Sequence, residues 1–348
     1  MELVEILKAA VGQGASDVHL TTGSVPLVRV HGEIQDLAGF STLNADDCRR
    51  MIYSILYEEQ RAKFEAHMEL DCSVQIPNMA RFRVNVLRQR GSVEAVLRVI
   101  SSTIPTPEQI GLGPKALSMA DLGSGLVLVT GPTGSGKSTT LACLIDRINQ
   151  TSNKHILTVE DPIEYLYTRS KCVIRQREVG SDTESFQAAL RHALRQDPDV
   201  ILVGELRDLE TIQLALTAAE TGHLCLATLH TRDAASTVDR IIDVFPAHQQ
   251  QQIRVQLAGS LKGVITQLLA PRADGQGMVA VREMMFATPA LANLIREGKT
   301  HMIRNVIETS GKDGMFTMDK SIEELVQRGT ITREEAEAMG FTGQKKLR

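Results

Sequence analysis

The sequence contains one glycine-rich run that ends in a lysine and a serine, and these residue types can bind phosphate. The run reads Gly131-Pro132-Thr133-Gly134-Ser135-Gly136-Lys137-Ser138. It matches G-x-x-x-x-G-K-[ST] at every fixed position. The apolar segment Leu126–Thr130 precedes it and the helix-compatible segment Thr139–Ile148 follows. This order of strand, loop and helix predicts a P-loop, in which backbone N–H groups wrap the phosphates of a nucleotide.

Within the predicted loop, each polar side chain has an expected task. Lys137 reaches the β and γ phosphates of ATP, and Ser138 ligates Mg²⁺. The predicted nucleotide-binding residues are Thr133, Gly134, Ser135, Gly136, Lys137, Ser138 and Thr139. The alternative is a glycine-rich turn that matches the pattern by chance, and the surrounding strand and helix pattern argues against it.

An acidic residue, Glu205, follows the apolar run Val200–Val203. Open α/β sheets bring their ligand-binding groups to the carboxyl ends of their strands. We therefore predict Glu205 as the Walker B residue, in contact with Mg²⁺ or its water shell. Gly204 occupies the position where an ordinary Walker B strand ends in Asp. The alternative is a solvated carboxylate at the end of a strand.

Three further carboxylates, Glu160, Asp161 and Glu164, lie within five residues after the run Ile156–Val159. Hydrolysis of ATP needs a base that positions and polarises water, and a carboxylate beside the γ-phosphate can do so. Glu164 is the predicted base. Glu160 and Asp161 are predicted to hold metal-bound waters near the nucleotide or to form the local turn. Spacing alone leaves open which of the three does the chemistry.

Two histidines, His223 and His230, flank the apolar run Leu224–Leu229. Such a pair can sense the γ-phosphate and relay its loss, and we carry both as candidate site residues. The alternative is that each is a structural histidine.

Three arginines are candidates for stabilising transition-state charge. Arg81 and Arg83 share one face of a predicted strand whose other face is apolar, and Arg98 lies on the next strand. Planar guanidinium groups suit this task, and another domain or subunit can deliver them. The alternative is an ordinary solvated sheet face.

The elements that must position these residues divide into two patterns. Residues 1–100 mix short strands and helices and predict an α+β domain, and proline and glycine are dense in a predicted linker over 101–116. Residues 117–348 show short apolar runs separated by helical stretches, the pattern of a mostly parallel α/β sheet. Helical stretches dominate from about residue 289 onward. In the first domain, one helical stretch is expected from Asp46 to about Lys63. The predicted strands of the second domain are Leu126–Thr130, Ile156–Val159, Val200–Val203 and Leu224–Thr228.

Composition argues against nucleic acid as a partner. Thirty-eight Lys and Arg against 42 Asp and Glu leave a formal net charge of −4, and aromatic residues are 3% of the chain with no Trp. A RecA-like helicase or translocase needs a basic channel with aromatic side chains, so it is the weaker alternative.

No apolar run approaches the roughly 18 residues of a membrane helix. Membrane association is therefore expected only through a partner.

Taken in order along the chain, these motifs resemble the secretion-ATPase superfamily, and specifically the PilT-type retraction ATPases of type IV pili. The resemblance covers nearly the whole chain. It rests on the opening strands, the arginine-bearing strand, the Asp box, the Walker B segment and the His box, which lie at residues 14–33, 81–86, 158–165, 196–208 and 221–230.

The resemblance implies a PAS-like N-terminal domain and a RecA-like motor domain in a homo-hexameric ring that docks on an inner-membrane pilus platform protein. It also implies a cytoplasmic location, peripheral at the inner membrane, and it supports Glu164 as catalytic and Glu205 as Walker B. Extension ATPases of pili and type II secretion are the competing interpretation. They carry extra N-terminal sequence and a four-cysteine zinc module, and neither is in this sequence. A nucleotide-binding switch without turnover is a third interpretation, but it would not need both carboxylates.

One segment departs from the family pattern. Residues 290–297 read Ala-Leu-Ala-Asn-Leu-Ile-Arg-Glu, where the retraction group typically reads Ala-Ile-Arg-Asn-Leu-Ile-Arg-Glu. Leu291 and Ala292 are the two departures. We therefore expect weaker retraction, or retraction shared with a paralogous retraction ATPase.

Overall fold

The computed structural model describes residues 2–30, 32–77, 79–100 and 103–341. The chain forms two compact units. One comprises Met1–Thr103 with Pro162–Leu166, and the other comprises Ile104–Asp161 with Tyr167–Arg348. The predicted linker begins at Ser101 and Ser102, which lie outside the described residues.

The first unit is built on an antiparallel sheet with the strand order β3-β2-β1-β6-β5-β4. Buried side chains of β1, β5 and β6 pack with the apolar sides of the helices in one core. The elements are α1 (Leu3–Gly12), β1 (Asp17–Leu20), β2 (Leu27–Val30), β3 (Glu33–Asp36), α2 (Ala45–Ser54), α3 (Glu58–His67), β4 (Glu69–Ile76), β5 (Ala80–Gln89) and β6 (Ser92–Ile100).

The prediction of one helix from Asp46 to about Lys63 is wrong, because the structure has two helices there. Leu56 is buried between them, and Tyr57 has an extended backbone that the Gln60 side chain caps. The Leu56 side chain packs into the core, and this interrupts the helical hydrogen bonds. No proline or glycine in the sequence marks the break.

The second unit contains a sheet with the strand order β13-β12-β7-β11-β10-β8-β9. Its neighbours pair in parallel, except for the antiparallel pair β12 and β13. The α/β fold class is therefore confirmed. The strands are β7 (Gly125–Thr130), β8 (His155–Glu160), β9 (Val173–Glu178), β10 (Val200–Val203), β11 (Leu224–Leu229), β12 (Leu261–Pro271) and β13 (Met278–Phe286).

Two apolar cores cover the opposite faces of this sheet, and helices supply the outer half of each. Residues of β7, β10 and β11 are fully buried, which explains why these strands read as continuous apolar runs. The α-helices are α4 (Pro114–Leu117), α5 (Lys137–Thr151), α6 (Phe186–Ala193), α7 (Leu209–Glu220), α8 (Ala234–Asp243), α9 (Ala247–Ser260), α10 (Pro289–Arg296), α11 (Ile303–Thr309), α12 (Met318–Gln327) and α13 (Arg333–Ala338). Among the residues described, no helix is both long and apolar enough to cross a membrane.

Candidate functional site

The glycine-rich loop connects the buried strand β7 to the amino end of helix α5. The Lys137 ammonium donates hydrogen bonds to the carbonyl oxygens of Gly131 and Pro132, each at 2.9 Å. The loop is thus folded around its own lysine, while Thr133, Gly134 and Ser138 are exposed. This is the strand, loop and helix arrangement that the sequence pattern predicts for phosphate binding.

Gly131 shows why the loop begins with glycine. Its φ is +139°, a region that L side chains rarely adopt. A Cβ here would collide with the backbone carbonyl of Gln267 on β12 and would lie 2.6 Å from Ser135 Oγ. The loop backbone is therefore packed tightly against β12, which leaves its other side open to a ligand.

Glu205 follows β10 on the same edge of the sheet as the P-loop, because β10, β11 and β7 run parallel. The loop that carries it is attached to β11, since the Thr228 hydroxyl donates to Gly204 O at 2.5 Å. A Cβ on Gly204 would lie 3.3 Å from Glu160 Cα. A side chain here would press on the end of β8, which favours glycine at the position of the usual Asp.

The side chains of Arg207 and His230 hold the Glu205 carboxylate. Arg207 NH2 lies 2.9 Å from Glu205 Oε2, and His230 Nε2 lies 3.2 Å from Glu205 Oε1. Burial acts to raise the pKa of Glu205, but the hydrogen bond from Arg207 and the charge of His230 outweigh it and lower the pKa. Glu205 is thus an ionised carboxylate.

Lys137 and Glu205 interact electrostatically. Burial lowers the pKa of the Lys137 ammonium, and the Glu205 carboxylate opposes that effect. The exposed Ser138 hydroxyl and the ionised Glu205 carboxylate both offer oxygen atoms as metal ligands, and Mg²⁺ prefers oxygen ligands. These residues fit the predicted Mg-nucleotide site.

Glu160 and Asp161, at the end of β8, differ in exposure. The Glu160 carboxylate is buried and accepts hydrogen bonds from Thr158 Oγ1 at 2.7 Å and Gln176 Nε2 at 3.3 Å. Asp161 is exposed, and its charge acts on Arg207, the residue that holds Glu205. Glu160 is therefore held by its own sheet, whereas Asp161 is the more accessible of the two.

The two histidines lie at opposite ends of β11, so the structure does not bring them together. His230 follows the strand on the P-loop side, whereas His223 precedes it, about 23 Å away at roughly 3.3 Å per residue. The His223 ring makes a 3.0 Å hydrogen bond to Ala218 O and one of 3.2 Å to Thr221 Oγ1. These contacts are local to the carboxyl end of helix α7, as expected for the structural alternative that the sequence left open.

The predicted arginines lie in the first unit. Arg83 on β5 is directly opposite Arg98 on β6, and Arg98 is opposite Asp17 on β1. Arg98 Nε donates to Asp17 Oδ1 at 2.8 Å. Like charges directly opposite each other destabilise a sheet, and the Asp17 carboxylate offsets part of the repulsion between the two arginines. Glu164, in the segment Pro162–Leu166 of the same unit, is exposed.

Three residues of the second unit had no role in the sequence analysis. Arg207 lies two residues beyond Glu205, so its closeness to the predicted Walker B residue could have marked it as a site residue. Gln267 and Arg282 lie on β12 and β13, more than a hundred residues beyond the loop. No motif marks them, and only the sheet order brings them to the P-loop.

The fold and this site define an α/β protein with a P-loop nucleotide site. Comparisons with known proteins narrow this class. The chain belongs to the family described as "Type II/IV secretion system protein", whose model matches residues 2–278.

Individual relatives confirm the resemblance to PilT-type ATPases. The type IV pilus retraction ATPase PilT of Pseudomonas aeruginosa is 49% identical over 336 residues, which cover 97% of both chains. The type IV pilus ATPase PilU of the same organism is 40% identical, over 97% of this chain and 88% of PilU. A crystal structure of the pilus retraction motor PilT with bound ADP has a TM-score of 0.92 and 45% identity, covering 100% of this chain and 99% of that one.

Proposed function

We propose that this protein is a Mg-dependent ATPase that works as a hexameric motor for type IV pilus retraction. The P-loop carries the ATPase part of the proposal, because β7 and α5 place Lys137 at the edge of the sheet where Glu205 follows β10. Supporting it, a chain with nearly the same extent and 49% identity is a pilus retraction ATPase by name. The motor would act on the cytoplasmic side of the inner membrane, docked on the pilus platform protein.

In this proposal each residue has one task. Lys137 and the N–H groups at the start of α5 bind the phosphates, and Ser138 and Glu205 hold Mg²⁺. The metal, when bound, neutralises charge on the phosphate oxygens. Glu164 positions and polarises the attacking water. His230, bonded to Glu205, responds to a change in the position of that carboxylate and so reports phosphate loss.

Deletion of the gene tests the physiological proposal. Pili are labelled and imaged in the deletion strain, and extension and retraction are scored separately. We expect pili that extend but retract slowly or not at all. Cells that extend few or no pili would instead identify an extension ATPase.

Substitution of the sheet arginines is expected to lower ATP turnover without preventing ring formation. The changes are Arg81→Ala, Arg83→Ala and Arg98→Ala, each of which removes a guanidinium group that we propose acts on transition-state charge in the assembled motor. Known arginine fingers contribute about 10³-fold or more to turnover. Turnover of purified protein is measured beside its sedimentation behaviour, which reports the ring.

Arg88→Ala is the matched control for these variants, because Arg88 is an exposed arginine of the same strand. Arg98→Ala also leaves the buried Asp17 without its ion partner, so Asp17→Asn is compared with it for thermal unfolding. Since Arg98 is two-thirds exposed, solvent screening keeps the effect on stability small. Unchanged turnover in all three variants would show that these arginines only form an ordinary solvated sheet face.

The departure at Ala292 predicts an effect on retraction rather than on chemistry. In α10, Leu291 and Ile295 are buried, and Ala292 is half-buried against the same core. An arginine there can lay its aliphatic stem along the core and keep its charge in water. We expect Ala292→Arg to leave ATP turnover unchanged and to strengthen retraction through an interface hydrogen bond, worth about 1.5–3 kcal/mol if buried.

Retraction is compared in a strain that lacks any paralogous retraction ATPase. Ala290→Arg is the control. Ala290 is exposed on the same helix, and an arginine there adds the same charge as Ala292→Arg. Full retraction by the unmodified protein in that strain would rule out the need for a paralogue. A changed ATPase rate in Ala292→Arg would show that the segment does more than couple the motor to its platform.

A further inference from the structure

Gln267, on β12, is hydrogen-bonded to the P-loop backbone. Its side chain is buried, its Nε2 donates to Ser135 O at 2.6 Å, and its Oε1 accepts from Thr140 Oγ1 at 2.8 Å. Ser135 lies in the loop and Thr140 in the first turn of α5. One amide group therefore ties the loop to the helix that follows it, and both of its polar atoms are used.

Arg282, on β13, is directly opposite Gln267 in the antiparallel pair. Its Nε donates to Gln267 Oε1 at 3.4 Å, and its NH1 and NH2 donate to the carbonyl oxygens of Gly111 and Ile110, each at 2.9 Å. Among the described residues, its hydrogen-bond partners include no carboxylate. Burial lowers the pKa of this guanidinium to about 10. A buried charge is destabilising unless its hydrogen bonds are satisfied, so its retention here needs a reason.

These bonds form a continuous path through the second unit. It runs from the carbonyls of Ile110 and Gly111 through Arg282 and Gln267 to the P-loop backbone at Ser135. A cavity of about 230 Å³ adjoins the path and is lined by Gly111 and Arg282 together with Met284, Phe316 and Leu325. Gly111 and Arg282 therefore both border open space at the point where they are hydrogen-bonded.

We propose that Gln267 and Arg282 are positioning residues that make the shape of the P-loop, and so its affinity for nucleotide phosphates, depend on where the Ile110–Gly111 segment lies. The inference rests on the proposed ATPase function and adds a control of it from outside the nucleotide motifs. Neither residue belongs to the nucleotide motifs. Gln267 acts through the loop backbone at Ser135, and Arg282 acts through Gln267.

Gln267→Glu tests the link to the loop, because the change is nearly isosteric. The carboxylate keeps the acceptor for Thr140 and Arg282 but replaces the donor to Ser135 O by a second acceptor. We expect the Kd for a fluorescent ATP analogue with Mg²⁺ to rise about 10-fold or more, the scale of one lost hydrogen bond plus the repulsion of two oxygens. The KM for ATP is expected to rise more than kcat falls.

Asn149→Asp is the matched control. Asn149 is a fully buried amide at the far end of α5, and its Nδ2 donates to Thr168 O at 2.9 Å. The same amide-to-carboxylate change there removes a donor to a backbone carbonyl without involving the P-loop. We expect both variants to melt at lower temperature, but only Gln267→Glu to weaken nucleotide binding. Equal nucleotide affinity in the two variants would overturn the inference.

Two changes at Arg282 test the rest of the path. Arg282→Gln is expected to weaken nucleotide binding, and the double variant with Gln267→Glu should be no weaker than the more affected single variant, since both lie on one path. Arg282→Lys keeps the charge but lacks the planar fork that reaches three acceptors, so it should not restore affinity. Full affinity in Arg282→Lys, or additive losses in the double variant, would overturn the path. Wild-type protein that binds no Mg-ATP would overturn the proposed function itself.

Discussion

Lys137→Ala is expected to abolish ATP hydrolysis. The loop contains no other cationic side chain that can reach the β and γ phosphates. The Lys137 ammonium is held within the loop by two backbone carbonyls, so its removal takes away a charge that the loop itself positions. ATP turnover of the purified protein with Mg²⁺, followed by phosphate release, measures the effect.

Lys312→Ala controls for the loss of one positive charge, because Lys312 is exposed in the same unit and lies outside every motif. Thermal unfolding of both variants checks that the chain is folded. Turnover near the wild-type rate in folded Lys137→Ala would refute the assignment of the site. It would leave the fold and the family membership unchanged.

Glu164→Gln is expected to retain Mg-ATP binding while turnover falls by about 10²-fold or more, the scale of a lost general base. The amide has nearly the shape of the carboxylate but cannot accept the proton of the attacking water. Glu164 is exposed, so this change should not disturb a core. Nucleotide binding and turnover are measured separately, since the prediction is a loss of the second without the first.

The neighbouring carboxylates supply the comparison, because spacing alone does not choose among them. Glu160→Gln changes a buried group that is bonded to Thr158 and Gln176, so it should lower the melting temperature. Asp161→Asn changes an exposed group near Arg207 and should have a smaller effect on turnover than Glu164→Gln. Loss of nucleotide affinity in Glu164→Gln would recast Glu164 as a binding group. The largest loss of turnover in Asp161→Asn would move the base to Asp161.

The central strands of the second sheet could be predicted closely, and its edges could not. Val200–Val203 is both the predicted and the observed β10, because a strand buried on both faces is an unbroken apolar run. By contrast, β9 is a partly exposed edge strand of mixed polarity. Helix α9 ends at Ser260 and β12 begins at Leu261, so no loop composition marks the change.

Local sequence determined the phosphate-binding loop, since its lysine, hydroxyls and backbone donors all come from residues 131–139 and need only the strand before them and the helix after them. The tertiary structure decided which distant groups support that loop. Gln267 bonds to Ser135 across 132 positions because β12 pairs with β7, and His230 meets Glu205 because β11 pairs with β10. Strand pairing is decided by the packing of whole faces, so spacing along the chain does not record such contacts.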